Sequence, residues 1–246
     1  MLNVSVDEKC YQPGELVIQR LEFRIGEGEK VALVGPSGAG KSTLLNLISG
    51  LDREFRGAVT LNGRSTVSRS ATNSVSMMFQ DSRLMPWLSV WSNVMLVAID
   101  NPVNRQRARN LLDAVGLDSY LNLYPAQLSG GMKKRVSLAR AFMAQPSLLL
   151  MDEPFASLDA PSAAELRELV KRMCDQHGTT LLYVTHDLAE AVEMADRVLF
   201  FSTSPMKLIL DHTVSELKQE APAESALEAC SSELLRRYPG ILHGVL

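Results

Sequence analysis

The sequence predicts an α/β fold: a core built on a parallel sheet, an antiparallel β subdomain at the N-terminal end, and a helical lobe inserted into the body. Three observations carry that expectation. Short, nearly all-apolar runs at 30–34, 147–151, 179–184 and 197–201 alternate with helix-period segments at 42–49, 162–176 and 188–194. That is the pattern of buried parallel strands joined by crossover helices. The opening segments 2–6 and 16–25 instead alternate apolar and polar residues, as half-exposed antiparallel strands do. Between 81 and about 144 the strand pattern stops, and helical segments at 90–99, 104–115 and 131–143 take over, punctuated by Pro86, Pro102 and Pro125.

Turn chemistry supports the order of elements. Pro13-Gly14 separates the first two strands, the 30–34 strand runs into a glycine-rich loop that opens a helix, and 58–61 meets Asn62-Gly63, a strong two-residue hairpin signal. The expected organisation is one domain over 1–214, with the lobe at about 81–144 inserted in it, and a helical tail over 215–246. The tail is rich in glutamate and alanine around Pro222.

With 46% hydrophobic and 22% charged residues, a chain of 246 residues can bury one sizeable core. Its formal charge of −3 gives no global basic field, so nucleic acid is not an expected partner. Cys10, Cys174 and Cys230 are widely separated and form neither a disulfide framework nor a metal-ligand cluster; they read as ordinary thiols in a reducing cytosol. No apolar run approaches the roughly 18 to 20 residues of a membrane span, and 94–99 falls far short. The first residues include early acids and lack the basic-then-apolar pattern of a secretory signal. Cytoplasmic residence is therefore expected.

Gly35-Pro36-Ser37-Gly38-Ala39-Gly40-Lys41-Ser42 has the form of a phosphate loop, a glycine followed by four residues and Gly-Lys-Ser. Glycines let backbone N–H groups curl around phosphate oxygens, and the helix that follows at 42–49 presents its positive end to the same anion, so the nucleotide-binding stretch runs from Gly35 to Thr43. Lys41 can reach the terminal phosphates, and the Ser42 hydroxyl suits Mg²⁺. A fortuitous glycine-rich turn would have no reason to follow a buried strand and open a helix. These residues predict a phosphate-loop NTPase core that binds nucleotide phosphates with Mg²⁺. The strand 147–151 delivers Asp152 and Glu153 at its C-terminal end, where ligands bind in open α/β sheets. Asp152 reads as a Mg²⁺ ligand and Glu153 as the general base for water.

Leu128-Ser129-Gly130-Gly131-Met132, followed by Lys133-Lys134-Arg135, lies upstream of that acidic strand. It resembles the signature of the ABC ATPases, a resemblance that covers the chain from about residue 4 to about 211. On that resemblance Tyr11 matches the aromatic that stacks on adenine, Gln80 the glutamine that senses γ-phosphate and metal, and His186 the switch histidine. Ser157-Leu158-Asp159 matches the D-loop, which brings Asp159 into the nucleotide-binding set with Ser129, Gly130 and Gly131. Position 132 is Met where the commonest spelling has Gln, a variant similar to that of nitrate, sulfonate and taurine importer ATPases. The basic residues 133–135 read as a solvated helix face.

The resemblance implies a nucleotide-sandwich dimer with a second copy, each ATP enclosed by one copy's phosphate loop and the other's signature. It implies transmembrane permease subunits as partners, a periplasmic substrate-binding protein indirectly, and residence at the cytoplasmic face of the inner membrane. Met85, Trp87, Trp91 and Met95 fit either the core of the lobe or a groove that receives a short helix from a permease. An ATPase powering a nitrate, sulfonate or taurine-type importer is the resulting expectation. The alternatives are the ATPase of a lipid-transport or export complex, and a non-transport relative, against which the short segment between Gln80 and Ser129 argues.

Overall fold

The computed structural model describes residues 1–12, 14–66, 74–203, 205–215, 235, 236, 238 and 240–245. Pro13, Cys230 and most of the expected helical tail, Pro222 included, lie outside the described residues. The chain forms two compact units, Met1–Thr72 with Thr180–Leu246, and Asn73–Thr179. In chain order the first unit holds β1 (Leu2–Cys10), β2 (Leu16–Ile25), β3 (Lys30–Val34), α1 (Lys41–Ser49), β4 (Arg56–Leu61) and β5 (Arg64–Ser65). The second holds β6 (Val75–Met78), α2 (Val90–Met95), α3 (Pro102–Ala114), α4 (Gly130–Met143), β7 (Leu148–Asp152) and α5 (Ala160–His177). The first resumes with β8 (Thr180–Thr185), α6 (Leu188–Met194), β9 (Arg197–Phe201) and β10 (Leu208–Thr213).

In the first unit β2, β1, β4 and β5 form the antiparallel sheet foreseen for the N-terminal end. Leu2, Val4 and Val6 alternate inward along β1, with Val4 opposite Phe23 on β2 and Val59 on β4. The hairpin from β4 to β5 turns on Asn62 (φ 52°) and Gly63 (φ 75°), the paired left-handed residues of a type I′ turn. β3 is parallel to β8 on one side and β9 on the other, with Val34 level with Thr185 and Phe200. All three strands are almost wholly buried, which is why their sequences are nearly continuous apolar runs.

Two strands escape the sequence reading. β10 returns antiparallel to β9 through residues 202–207, so the first unit's strands are not all parallel; a connection that short can only reverse direction. β6 lies parallel to β7 in the second unit, Met78 level with Met151. The helices α2, α3 and α4 fall between these two strands in the chain, within the span expected for the lobe. α2 ends at Met95 and not near 99. Asn101 caps α3 by accepting from Asn104 N–H, and Pro102 takes the first helical position, so α3 starts earlier than its periodicity suggests. No helix among the described residues is long and apolar enough to cross a membrane.

β1 carries one irregularity with a steric cause. Val6 pairs with Gly57 and Glu8 with Arg56, so Asp7 is an extra residue, a bulge. Gly57 sits at φ 127°, and a Cβ there would lie 2.2 Å from Ser5 O. Gly57→Ala is expected to destabilise the chain by about 2–3 kcal/mol. Gly28→Ala, at φ 73° with open space for a Cβ, should cost only about 1 kcal/mol. Denaturant unfolding of the two variants checks this, and equal losses would contradict it.

Candidate active site

The phosphate loop spans the gap between β3 and α1 in the first unit. Gly35 is buried, and a Cβ there would meet Phe201 O at 3.0 Å, a tight contact with the backbone of β9 that favours glycine. Gly38 (φ 76°) and Gly40 (φ 101°) turn the chain through the left-handed region, and a Cβ on Gly40 would press on Val17 at 3.0 Å. The first turn of α1 receives no side-chain cap and contains no acid, so its positive end is left for an anion. The Lys41 ammonium is buried and donates to Gly35 O and Pro36 O at 2.7 Å each. Its side chain thus lies over the loop it serves. Ser42 is exposed, and the Thr43 hydroxyl lies 3.1 Å from the Tyr11 hydroxyl.

His186 follows β8, and because Val34 is level with Thr185, Gly35 and His186 leave the sheet at the same edge. Asp187 shapes that turn: its N–H donates to Thr185 Oγ1, and its carboxylate caps α6 by accepting from Ala189 and Glu190 N–H. His186 is exposed. Phosphate loop, Tyr11 and His186 are thus carried by one unit.

The second unit repeats the arrangement. Since Met78 is level with Met151, Gln80 and the pair Asp152-Glu153 leave β6 and β7 at one edge. Asp152 and Glu153 are half-buried, and Glu153 takes φ 42°, a left-handed backbone that costs a non-glycine residue energy and is concentrated at functional sites. Ser157 shares it at φ 69°. Asp159 caps α5 by accepting from Ser162, and hydrogen bonds from the Ser162 hydroxyl and N–H hold its carboxyl below the usual range. Ser129 caps α4 by accepting from Met132 N–H at 3.2 Å. Gly130 and Gly131 are not in the left-handed region, and a Cβ on either would find only ordinary contact at 4.0 Å. Among the described residues nothing demands glycine at these two positions.

Two residues of α4 were misread or missed. Lys134, expected on a solvated face, is buried and donates to Gln80 O; burial pushes its ammonium below the usual lysine range. Arg140 donates to Ser82 O and Arg83 O at 2.9 Å. The segment after Gln80 is therefore held through its carbonyls by α4, contacts that no local spacing reveals. Asn93, fully buried, accepts from Met85 N–H and donates to Met85 O, Leu88 O and Ser89 O. That loop presents Trp87 at 70% exposure, so Trp87 is surface and not lobe core. Leu96, Val97 and Ile99 are exposed as well.

The metal-binding expectation rests on Ser42, Gln80 and Asp152. These are hard oxygen donors, which suit Mg²⁺, an ion usually held by one or two protein ligands with substrate phosphates supplying the rest. Among the described residues no group of three or more His, Cys, Asp or Glu could hold a metal unaided.

A family model described as ABC transporter matches residues 18–156, more than half of the chain. The aliphatic sulfonates import ATP-binding protein SsuB of Pseudomonas putida is 45% identical over 221 residues, covering 90% of this chain and 80% of that protein. Its counterpart in Shigella flexneri is 43% identical over 222 residues, covering 90% and 85%. Among solved structures, the dimeric post-hydrolysis state of the ATP-binding cassette MJ0796 bound to ADP and Pi aligns with TM-score 0.76 at 30% identity, covering 87% of this chain and 99% of that one. The cbiO1 protein of Clostridium perfringens, part of the ABC transporter complex cbiONQ, aligns with TM-score 0.79 at 26% identity, covering 98% and 97%.

Lys41→Ala removes a cation bonded to the loop's carbonyls. Charge-assisted hydrogen bonds contribute about 1.5–3 kcal/mol, so calorimetric titration with MgATP should show affinity weakened about 10- to 100-fold. Unchanged affinity would remove Lys41 from phosphate binding.

Proposed function

We propose, from the premise that this chain belongs to the ABC transporter family, that it binds MgATP with residues 35–43 and hydrolyses it with Glu153 to power an importer. The observation that carries the reading is the phosphate loop itself. Glycines favoured by the close approach of β9 and by left-handed backbone shape it beneath an uncapped helix end, with Lys41 alongside.

In this reading Lys41 offsets phosphate charge in ground and transition states. Ser42, Gln80 and Asp152 would hold Mg²⁺, which would supply positive charge to offset that developing on the phosphates. Glu153, on a left-handed backbone at the end of β7, accepts the proton of the attacking water. His186 contacts the γ-phosphate, Tyr11 stacks on adenine, and Asp159 lines the site. Ser129 and the amides of Gly130 and Gly131 bind the γ-phosphate of a second copy's ATP, a task that fits two glycines for which packing among the described residues has no use. Loss of that phosphate removes the bridge between copies and lets the dimer open.

The surface around Trp87 is offered to a transmembrane permease subunit, with exposed Leu96, Val97 and Ile99 nearby in sequence. The chain then sits at the cytoplasmic face of the inner membrane, and a periplasmic substrate-binding protein acts on the far side of the permease. Relatives named for aliphatic sulfonate import favour an aliphatic sulfonate, within the nitrate, sulfonate and taurine group, as cargo.

Glu153→Gln tests the catalytic part. Removing a positioned base costs about 10²- to 10⁴-fold, so steady-state hydrolysis should nearly vanish while MgATP affinity persists and ATP-dependent dimers accumulate in sedimentation. Near-normal turnover would exclude Glu153 as the base.

A further inference from the structure

Along β1 the side chains of Leu2, Val4 and Val6 point inward. Strict alternation would continue at position 8 and send position 9 outward. The extra residue at Asp7 shifts the phase, and Lys9 turns inward to 2% exposure; re-aiming a side chain is what a bulge does. Burying an ammonium is costly without partners. Lys9 Nζ lies 2.9 and 2.7 Å from the two Asp52 carboxylate oxygens and donates to Glu54 O at 2.8 Å. It also lies 4.6 Å from the centre of the Tyr11 ring, a cation–π contact.

These partners tie Tyr11 to α1 at both ends. Asp52 lies just past the C-terminal end of that helix, with its N–H bonded to Asn46 O. At the other end, the Tyr11 hydroxyl meets Thr43 in the first turn, beside Lys41. Tyr11 is nonetheless 56% exposed, which leaves ring surface for a stacking partner.

We propose that Lys9, held by Asp52, is a positioning residue for the nucleotide base: it backs the Tyr11 ring and fixes it to the helix that carries the phosphate loop. The proposal rests on the reading that Tyr11 stacks on adenine. A buried ion pair is weak support for stability, and an apolar residue commonly serves as well. A role in stability alone would therefore not call for a lysine on a face otherwise filled by Leu2, Val4 and Val6. A cation over a ring face adds an attraction to the ring's quadrupole that no apolar residue supplies.

The test titrates the full chain with MgATP and with magnesium tripolyphosphate, which has the phosphates but no base. Lys9→Met should raise Kd for MgATP about 3- to 10-fold and leave that for tripolyphosphate within about twofold. Lys9→Arg should restore most of the loss, and Lys9→Met should add nothing in a Tyr11→Ala background. Equal losses for both ligands, or a Lys9→Met loss that persists undiminished beside Tyr11→Ala, would overturn the proposal. So would normal MgATP affinity in Lys9→Met when Tyr11→Ala weakens it. If Tyr11→Ala itself binds MgATP normally, the stacking reading fails and the proposal with it, a result distinct from failure at Lys9 alone. Should Lys9→Met not fold, Asp52→Asn is expected to give the same split between ligands, and equal losses there would again overturn it.

Discussion

The backbone approach between Gly35 and β9 is the constraint on which the site depends. A loop that must expose its amides to phosphate has to be held by something other than its own hydrogen bonds, and here the holding is steric. A Cβ at Gly35 would crowd Phe201 O and one at Gly40 would press on Val17, each at 3.0 Å, and the left-handed turns at Gly38 and Gly40 complete the bend. β3 can deliver the loop to that point because it runs parallel between β8 and β9, with Val34 in register with both. The same register sets His186 at the same edge. Parallel strands send all their C-terminal loops to one side, so one register fixes two functional positions.

The second unit applies the same geometry with different chemistry. β6 and β7 in parallel register deliver Gln80 and the Asp152-Glu153 pair together, and the strained backbone at Glu153 is carried by a strand whose apolar residues are wholly buried. α4 has two duties in this unit. Its interior cations Lys134 and Arg140 hold the carbonyls of residues 80, 82 and 83, while its N-terminal residues Ser129 and Gly130 remain exposed. A shift of α4 would therefore pull on the segment that carries Gln80, a mechanical link made of charge-assisted hydrogen bonds.

What could be read from the sequence is what backbone chemistry dictates locally. The phosphate loop, the Asn62-Gly63 hairpin and the buried strands 30–34 and 197–201 are specified by residues whose conformational limits are their own. The missed features depend on distant partners. β6 is four residues of mostly half-buried character that acquires strand geometry by pairing with β7, and β10 is edge strand with little buried surface. The bulge at Asp7 exists because Gly57 on another strand admits it. Lys134 looks like any helical lysine until Gln80 O is placed beside it. Charge patterning on a single helix cannot distinguish a solvated cation from one that holds a neighbouring loop.

The central claim is that hydrolysis needs two copies, because the chain offers a γ-phosphate ligand at Ser129, Gly130 and Gly131 that serves its neighbour's nucleotide. The most direct measurement is steady-state ATP hydrolysis by the purified chain at saturating MgATP over a wide range of protein concentration. Turnover per chain should rise with concentration and level off as dimers saturate, and Ser129→Arg should flatten that rise to a low rate. Turnover per chain that stays constant down to concentrations at which sedimentation finds only monomers would contradict the account.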